Sequence, residues 1–358
     1  MSRLIRAVID TQALRHNLNV IRARAAGAKV MAVVKANAYG HGLVSSALAL
    51  READAFAVAR LEEALALRAV GIEGRILLLE GVFSLSQLED AAHENLDLVV
   101  HDPSQIELLE RAGGAERFAL WVKIDTGMHR LGFAPRDFAA ILGRIRALTP
   151  APREIRLMTH LACANERDER STGEQLTRFR EATRGLSYET SIANSAALFG
   201  NYAPGCQWVR PGLALYGASP FEDVSAAQLG LKPVMTLMSS VIAVRRVPRG
   251  ECVGYGSAWS AGRDSVVAIV AAGYGDGVHR SLAGGTPVLV GGQRGALAGR
   301  VSMDMLAVDV TGLTGVQVGA PVVLWGEGLP VEQAARQAGT IAYELLCSVS
   351  QRVPIEPR

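Results

Sequence analysis

The chain predicts a TIM (β/α)8 barrel followed by a smaller, mostly β domain, and three observations carry that prediction. Its 358 residues exceed one small domain and suit a barrel of roughly 250 residues with an appended unit. Up to about residue 217, short apolar β-branched runs alternate with longer amphipathic ones, the pattern of βα units on a parallel sheet. Beyond about residue 230 the texture changes to short strands punctuated by Gly and Pro.

Eight runs read as barrel strands: VMAVVK (30–35), AFAVA (55–59), ILLLE (76–80), LDLVV (96–100), FALWVKID (118–125), IRLMTH (155–160), ETSIAN (189–194) and LALYG (213–217). Between them lie helices such as LEEALALRAV (61–70), SLSQLEDAAHE (84–94) and PRDFAAILGRIRAL (135–148), whose apolar residues recur every three to four positions. The competing open doubly wound sheet would announce a Gly-rich first turn, which is missing after residue 35. In the second part VMTLMSSVIAVRRV, SVVAIVAAGYGDG, TPVLVGG, LAVDVTG and PVVLWGE read as strands, with one late helix near VEQAARQAG. The expected division is 1–229 and 230–358, although DVSAAQLG (223–230) reads equally as a final barrel helix.

Composition removes several function classes. With 49% hydrophobic and 20% charged residues the chain has volume for a packed interior and no disorder signature. Lys plus Arg number 37 against 35 Asp plus Glu, a net charge of +2 without any basic block, so nucleic acid is not an expected partner. The start, MSRLIRAVIDTQALRHNL, lacks a secretory pattern and no stretch is apolar enough to span a bilayer, so the expectation is a cytoplasmic protein with no membrane contact. Cys163, Cys206, Cys252 and Cys347 show no CxxC spacing, so neither a metal site nor a disulfide framework is expected.

In such a barrel the chemistry sits at the C-terminal strand ends. Lys35 closes the first strand, Asp125 and Arg130 follow the fifth, His160 ends the sixth, Ser195 follows the seventh, and Arg210 and Gly212 precede the expected eighth. Phosphate sites are commonly built after strands seven and eight, so a phosphate-bearing ligand follows from layout alone. A lysine at a strand end often only snorkels to solvent. If buried, however, it presents the neutral amine that a Schiff base needs.

The company of Lys35 decides between these readings. AVVKANAYGHG (32–42) resembles the cofactor-attachment motif of the alanine racemases, and KIDTGMHRLGF, MTHLACA, IANSAA, VRPGLALYG, VGYGSAW, GYGDG and GRVSMDM follow in that family's order across nearly the whole chain. The resemblance implies a barrel plus β domain, a head-to-tail homodimer with shared active sites, and pyridoxal 5'-phosphate (PLP) held by Lys35 as an aldimine. It implies interconversion of L- and D-alanine by two bases, Lys35 and the other subunit's Tyr255, serving either peptidoglycan synthesis or D-alanine catabolism. Tyr39, Ser195, the backbone around Gly212 and Leu213, and Tyr343 would hold the phosphate. Arg130 would steady the phenolic oxygen and the substrate carboxylate, Met303 and Asp304 would form a substrate-side loop from the partner, and His160 would hold Arg210. Tyr274, Arg280, Arg300 and Ile341 would lie at the entrance. Lys123 matches a lysine that is carbamylated in some members.

The chemistry supports this assignment independently. Racemisation removes a proton from one face of Cα and returns one to the other, so two opposed bases are expected. An arginine at the cofactor's ring nitrogen, here Arg210, donates only and leaves that nitrogen unprotonated, a weaker electron sink that should suppress transamination. His41 reads as either a turn residue or a functional one, and GYGDG as a tight turn, since it lacks full dinucleotide spacing. Three rivals remain on related scaffolds: a broader amino-acid racemase, a PLP decarboxylase and a non-enzymatic PLP-binding protein. Substrate profiling, evolved CO2 and the second-half motifs, respectively, discriminate them. The chain departs from the commonest family text at Gly275, where alanine is frequent, and in its tail, SVSQRVPIEPR.

Overall fold

The computed structural model describes residues 4–166 and 168–358. Eight parallel strands close into a barrel: Lys29–Val33, Ala55–Val58, Arg75–Leu78, Asp97–Val100, Ala119–Lys123, Glu154–Met158, Thr190–Ser191 and Trp208–Val209. The ring shuts where Lys29 and Val30 pair with Trp208 and Val209. Helices cross over between strands as the periodicity predicts, at Leu61–Ala69, Leu85–His93 and Phe138–Arg146 among others. Their starts follow ordinary capping: Ser84 accepts from Gln87 N, and Asp102 accepts from Ser104 N with Pro103 at the first helical position.

The eighth strand corrects the sequence reading. LALYG forms a 3-10 turn, Leu213–Tyr216, and the strand is the two-residue Trp208–Val209. Pro211 has no N–H to extend the ladder, and the backbone leaves extended geometry at Gly212 (φ −120, ψ −86). The four residues are apolar because they are buried under the barrel mouth, and burial alone does not distinguish a strand from a turn. Arg210 and Gly212 therefore follow the eighth strand, where the other site residues also stand relative to theirs. DVSAAQLG forms turns and adds no barrel helix.

The second sheet has eight strands in the order Ser265–Val270, Leu306–Asp309, Gln293–Leu297, Pro287–Val290, Pro321–Trp325, Met235–Val247, Arg6–Ile9 and Ile355–Pro357. The long strand Met235–Val247 also pairs with Ser265–Val270, which brings the sheet back on itself. A division at 229 and 230 follows chain order, whereas hydrogen bonding places Arg6–Ile9 in the second sheet, antiparallel to Met235–Met238 and parallel to the tail. The departing tail is thus packed: Arg358 N donates to Ile9 O at 2.9 Å, and its guanidinium meets Asp10 and Glu327. The predicted late helix is Val331–Ala338, and a further one, Ala342–Ser348, lies against the turn that follows the first barrel strand. A Cβ at Gly40 would overlap the carbonyl of Leu346, so this close approach requires glycine.

Candidate active site

After the first barrel strand the chain makes an unusual turn. Lys35 opens it, and Ala36, Asn37, Ala38 and Tyr39 all have φ between 53 and 55°, a run of left-handed backbone without a glycine. Each such residue costs about 1–2 kcal/mol, so surrounding contacts must hold it. Ala36 N donates to Glu63 Oε1 at 2.7 Å, Gly40 N to Ala36 O at 3.0 Å, and Leu43 N to Asn37 Oδ1 at 2.8 Å. The turn directs Lys35 into a cavity at the barrel mouth and puts the buried Tyr39 ring 4.8 Å from Tyr216, nearly parallel to it.

That cavity, about 700 Å³, is lined by Lys35, Tyr39, Lys123, Arg130, His160, Ser195, Arg210, Gly212, Leu213, Ile341 and Tyr343. Eleven predicted site residues from seven separate stretches of chain therefore meet in one place. Glu80, Glu222, Glu332 and Cys347 line it as well.

At one end Ser195 opens a short helix capped by Asn194, and its Oγ accepts from Gly212 N at 3.0 Å and Ala214 N at 3.3 Å. A Cβ at Gly212 would overlap the Tyr39 hydroxyl and stand 2.9 Å from Cζ, so the missing side chain makes the notch into which Tyr39 points. Tyr39 Oη has no hydrogen-bond partner among the described residues. Tyr343, from the second domain, comes within 5.9 Å of the Tyr39 ring, and burial pushes its hydroxyl up to about 12.

The interior is strongly cationic. Arg210 is buried, and its Nη1 donates to Ser191 Oγ and its Nη2 to Thr159 O, each at 2.6 Å. His160 Nδ1 stands farther off, at 3.5 Å. Burial pulls Arg210 down to about 10, which leaves it charged at neutral pH. Burial, then the charges of Arg210, Arg130 and Lys35, bring Lys123 down to about 8. Burial and the same cations hold His160 well below the ordinary histidine range. Asp125 is occupied elsewhere, its Oδ1 accepting the N–H groups of Gly127, Met128 and His129 at 3.0 Å. Lys35, Lys123, Arg130 and Arg210 crowd this lining, which also carries Glu80, Glu222 and Glu332, and that set of cations suits an anionic ligand. A phosphate in the Ser195–Gly212–Tyr39 notch, a ring between it and Lys35, and a carboxylate near Arg130 match the donors present, so the residues fit PLP.

The remaining predicted residues lie elsewhere. Tyr255, Tyr274, Met303, Asp304, Arg280 and Arg300 are exposed on the second domain, outside this chain's cavity. All but Arg280 belong to joined loops: Tyr274 N donates to Ser302 O at 3.0 Å, Gly275 N to Met303 O at 2.9 Å, and Arg300 Nη1 lies 3.2 Å from where a Cβ on Gly256 would stand. Tyr255 is 68% exposed, a large amount for a tyrosine in a folded domain.

Several contributors were not singled out from sequence. Thr159 and Ser191, not His160 alone, hold Arg210; they stand at or just after the ends of the sixth and seventh strands. Tyr216 supports Tyr39 and donates to Val33 O at 2.9 Å. Arg352, in the departing tail, bridges Asp276 Oδ1 (2.7 Å) and Asp304 Oδ1 (2.6 Å), tying the two exposed loops together. A Cβ at residue 275 would come 2.8 Å from Cζ of Arg352, so Gly275 leaves room for that guanidinium.

Fold and site together define a barrel enzyme with a strand-end lysine in a cation-lined mouth, followed by a second β domain. Comparison with known proteins names the family. Residues 9–220 match the family model for the alanine racemase N-terminal domain and residues 234–356 that for its C-terminal domain. Curated alanine racemases of Shewanella loihica and Vibrio parahaemolyticus are 49% and 47% identical over 351 residues, covering 98% of this chain and of each relative. The crystal structure of the biosynthetic alanine racemase from Pseudomonas aeruginosa is similar with a TM-score of 0.95 and 47% identity, over 100% of this chain and 99% of that one. The structure of alanine racemase from Acinetobacter baumannii has a TM-score of 0.94 and 40% identity, over the full length of both chains. The chain belongs to the alanine racemase family, whose members are PLP-dependent isomerases. Among the described residues no helix is long and apolar enough to cross a membrane, and no three His, Cys, Asp or Glu side chains are grouped to hold a metal ion.

Proposed function

We propose that this racemase interconverts L- and D-alanine with Lys35 and Tyr255 as the two proton carriers, Tyr255 arriving from a second copy of the chain. The observation that carries this reading is the split itself. Lys35 lines the cavity at the barrel mouth, while Tyr255 stands exposed on a different surface of the same molecule.

When bound, PLP supplies an electron sink for the pair left at Cα once its proton departs. Ser195, Tyr39, Tyr343 and the backbone around Gly212 and Leu213 would grip the phosphate. Arg210, fixed by Ser191 and Thr159, would face the ring nitrogen as a donor that keeps its proton, and His160 would buttress it. Arg130 would take the substrate carboxylate and so turn Cα toward Lys35. Lys35 Nζ takes or returns the proton on one face, and the hydroxyl of Tyr255 does so on the other. The partner's Met303 and Asp304 would narrow the substrate side, with Tyr274, Arg280, Arg300 and Ile341 at the entrance. Lys123, brought down to about 8 and so about half neutral at that pH, is placed to add CO2 and release a proton, giving a carbamate that would anchor Arg130. The D-alanine formed would serve peptidoglycan, and the reverse direction would serve catabolism.

The test is turnover of each alanine enantiomer followed by circular dichroism, for the purified protein and for Lys35→Ala and Tyr255→Phe. Convergence on a racemic mixture, lost in both variants, is expected. PLP binding without racemisation would overturn the reading.

A further inference from the structure

His41 is fully buried behind the left-handed turn, yet it lines no part of the cavity. Its Nδ1 lies 3.0 Å from Ala38 O and 2.8 Å from Tyr39 O. Both are acceptors, so the neutral ring must carry its proton on Nδ1 and share it between the two carbonyls. Burial lowers the imidazole to about 4, consistent with a ring that stays neutral. Nε2 meets no protein donor among the described residues. The ring also packs 4.6 Å from Tyr216, the same ring that supports Tyr39 at 4.8 Å.

These contacts converge on one segment. The two carbonyls belong to Ala38 and Tyr39, the last two non-glycine residues of the left-handed run, whose φ is 53° in each. Such backbone persists only where its surroundings over-determine it. The orientation of this segment decides where the Tyr39 hydroxyl falls relative to Gly212. If only packing mattered, an apolar ring would fill the same space without burying an unpaired nitrogen.

We propose that His41 is a positioning residue for the cofactor phosphate: its Nδ1–H clamps the left-handed turn at Ala38 and Tyr39 and so aims the Tyr39 hydroxyl into the Gly212 notch. The inference rests on the reading that this notch holds the phosphate, and the experiment separates the two.

Apo-protein is titrated with PLP and with pyridoxal, which lacks the phosphate, for the wild type, Ser195→Ala, His41→Phe and His41→Asn. Phenylalanine keeps the ring and loses the donor, whereas the asparagine amide can occupy the Nδ1 position and keep it. The expected result is a loss of PLP affinity of about tenfold in His41→Phe with pyridoxal affinity nearly unchanged, and recovery to within about threefold of wild type in His41→Asn. Of the two histidine variants, only the phenylalanine one should shift or broaden the 31P resonance of bound PLP.

PLP affinity in His41→Phe equal to wild type, or an equal loss in the asparagine variant, overturns the role of His41. If Ser195→Ala also leaves the preference for PLP over pyridoxal untouched, the notch reading itself fails. Should both histidine variants fail to fold, 15N shifts of the wild-type imidazole decide: the Nδ1–H tautomer upholds the inference and Nε2–H overturns it.

Discussion

The barrel mouth and the loops around Tyr255 are opposite kinds of surface. At the mouth Tyr39, Lys123, Ser195 and Arg210 are buried at or just after strand ends, and Arg210 is held by the Thr159 carbonyl and the Ser191 hydroxyl. On the second domain Tyr255, Met303 and Tyr274 are exposed at 68, 54 and 42% and belong to 3-10 turns and loops. A site needing fixed geometry is best built on rigid elements, so the mouth explains itself and the loops do not. A second chain docking over the mouth would give the loops the burial that one chain withholds.

The largest expected effect tests that complementarity. Lys35→Ala and Tyr255→Phe should each lose roughly 10²–10⁴-fold in turnover. Mixed, unfolded and refolded together, they should regain about a quarter of wild-type activity, because half the dimers would carry one intact site of two. No recovery on mixing would break the comparison and return both groups to one chain.

Next comes the cost of crowding cations at the mouth. Lys123 falls from 10.5 to about 8 on folding, so the unfolded chain binds more protons between those values and stability rises with pH across that window. The penalty is full below about pH 8 and relieved as pH climbs toward 10.5. In CO2-free buffer Lys123→Met should therefore be more stable than wild type at pH 7 by on the order of 3 kcal/mol, with the gap closing toward pH 10. Urea titrations showing a pH-independent gap would rule this out.

Two changes of about tenfold sharpen the roles within the mouth. Arg210→Glu should shift product partition toward transamination by about that factor, read as pyruvate per racemisation event; an unchanged ratio would count against the ring-nitrogen role. Gly212→Ala should weaken PLP by about tenfold, since the new Cβ meets the Tyr39 hydroxyl. The loss should shrink in a Tyr39→Phe background, and equal losses in both would remove Tyr39 from the account. The smallest effect belongs to the exposed half. Arg352→Met frees Asp304 from its bridge to Asp276 and should raise KM for alanine about threefold with little change in PLP affinity. A change in PLP affinity without one in KM would contradict the proposed separation.

Six of the eight barrel strands were legible as short, largely apolar runs between amphipathic helices, and the seventh, Thr190–Ser191, only as part of the longer run ETSIAN. The eighth was not, because Trp208–Val209 is too short to show a period while LALY is apolar only from burial. The cavity residues Lys35, Ser195 and Arg210 were legible from strand-end placement and from their motifs. Tyr255 and Met303 were legible only through the resemblance, since on one chain they look like ordinary exposed loop residues. Thr159, Ser191, His41 and Arg352 needed the fold, because their roles lie in partners distant in sequence or in backbone geometry that residue identity does not encode.

By itself the sequence determined the alternation of elements, the class of barrel, the ordered motifs and the set of groups able to exchange a proton, since these rest on local periodicity and side-chain chemistry. Only the tertiary structure decided that Arg6–Ile9 pairs with the tail at the far end of the chain, that Gly212 opens a notch for Tyr39, and that Lys35 and Tyr255 stand on separate surfaces. Those outcomes depend on contacts between residues tens to hundreds of positions apart. Chain closure sets such contacts, and no window of sequence contains them.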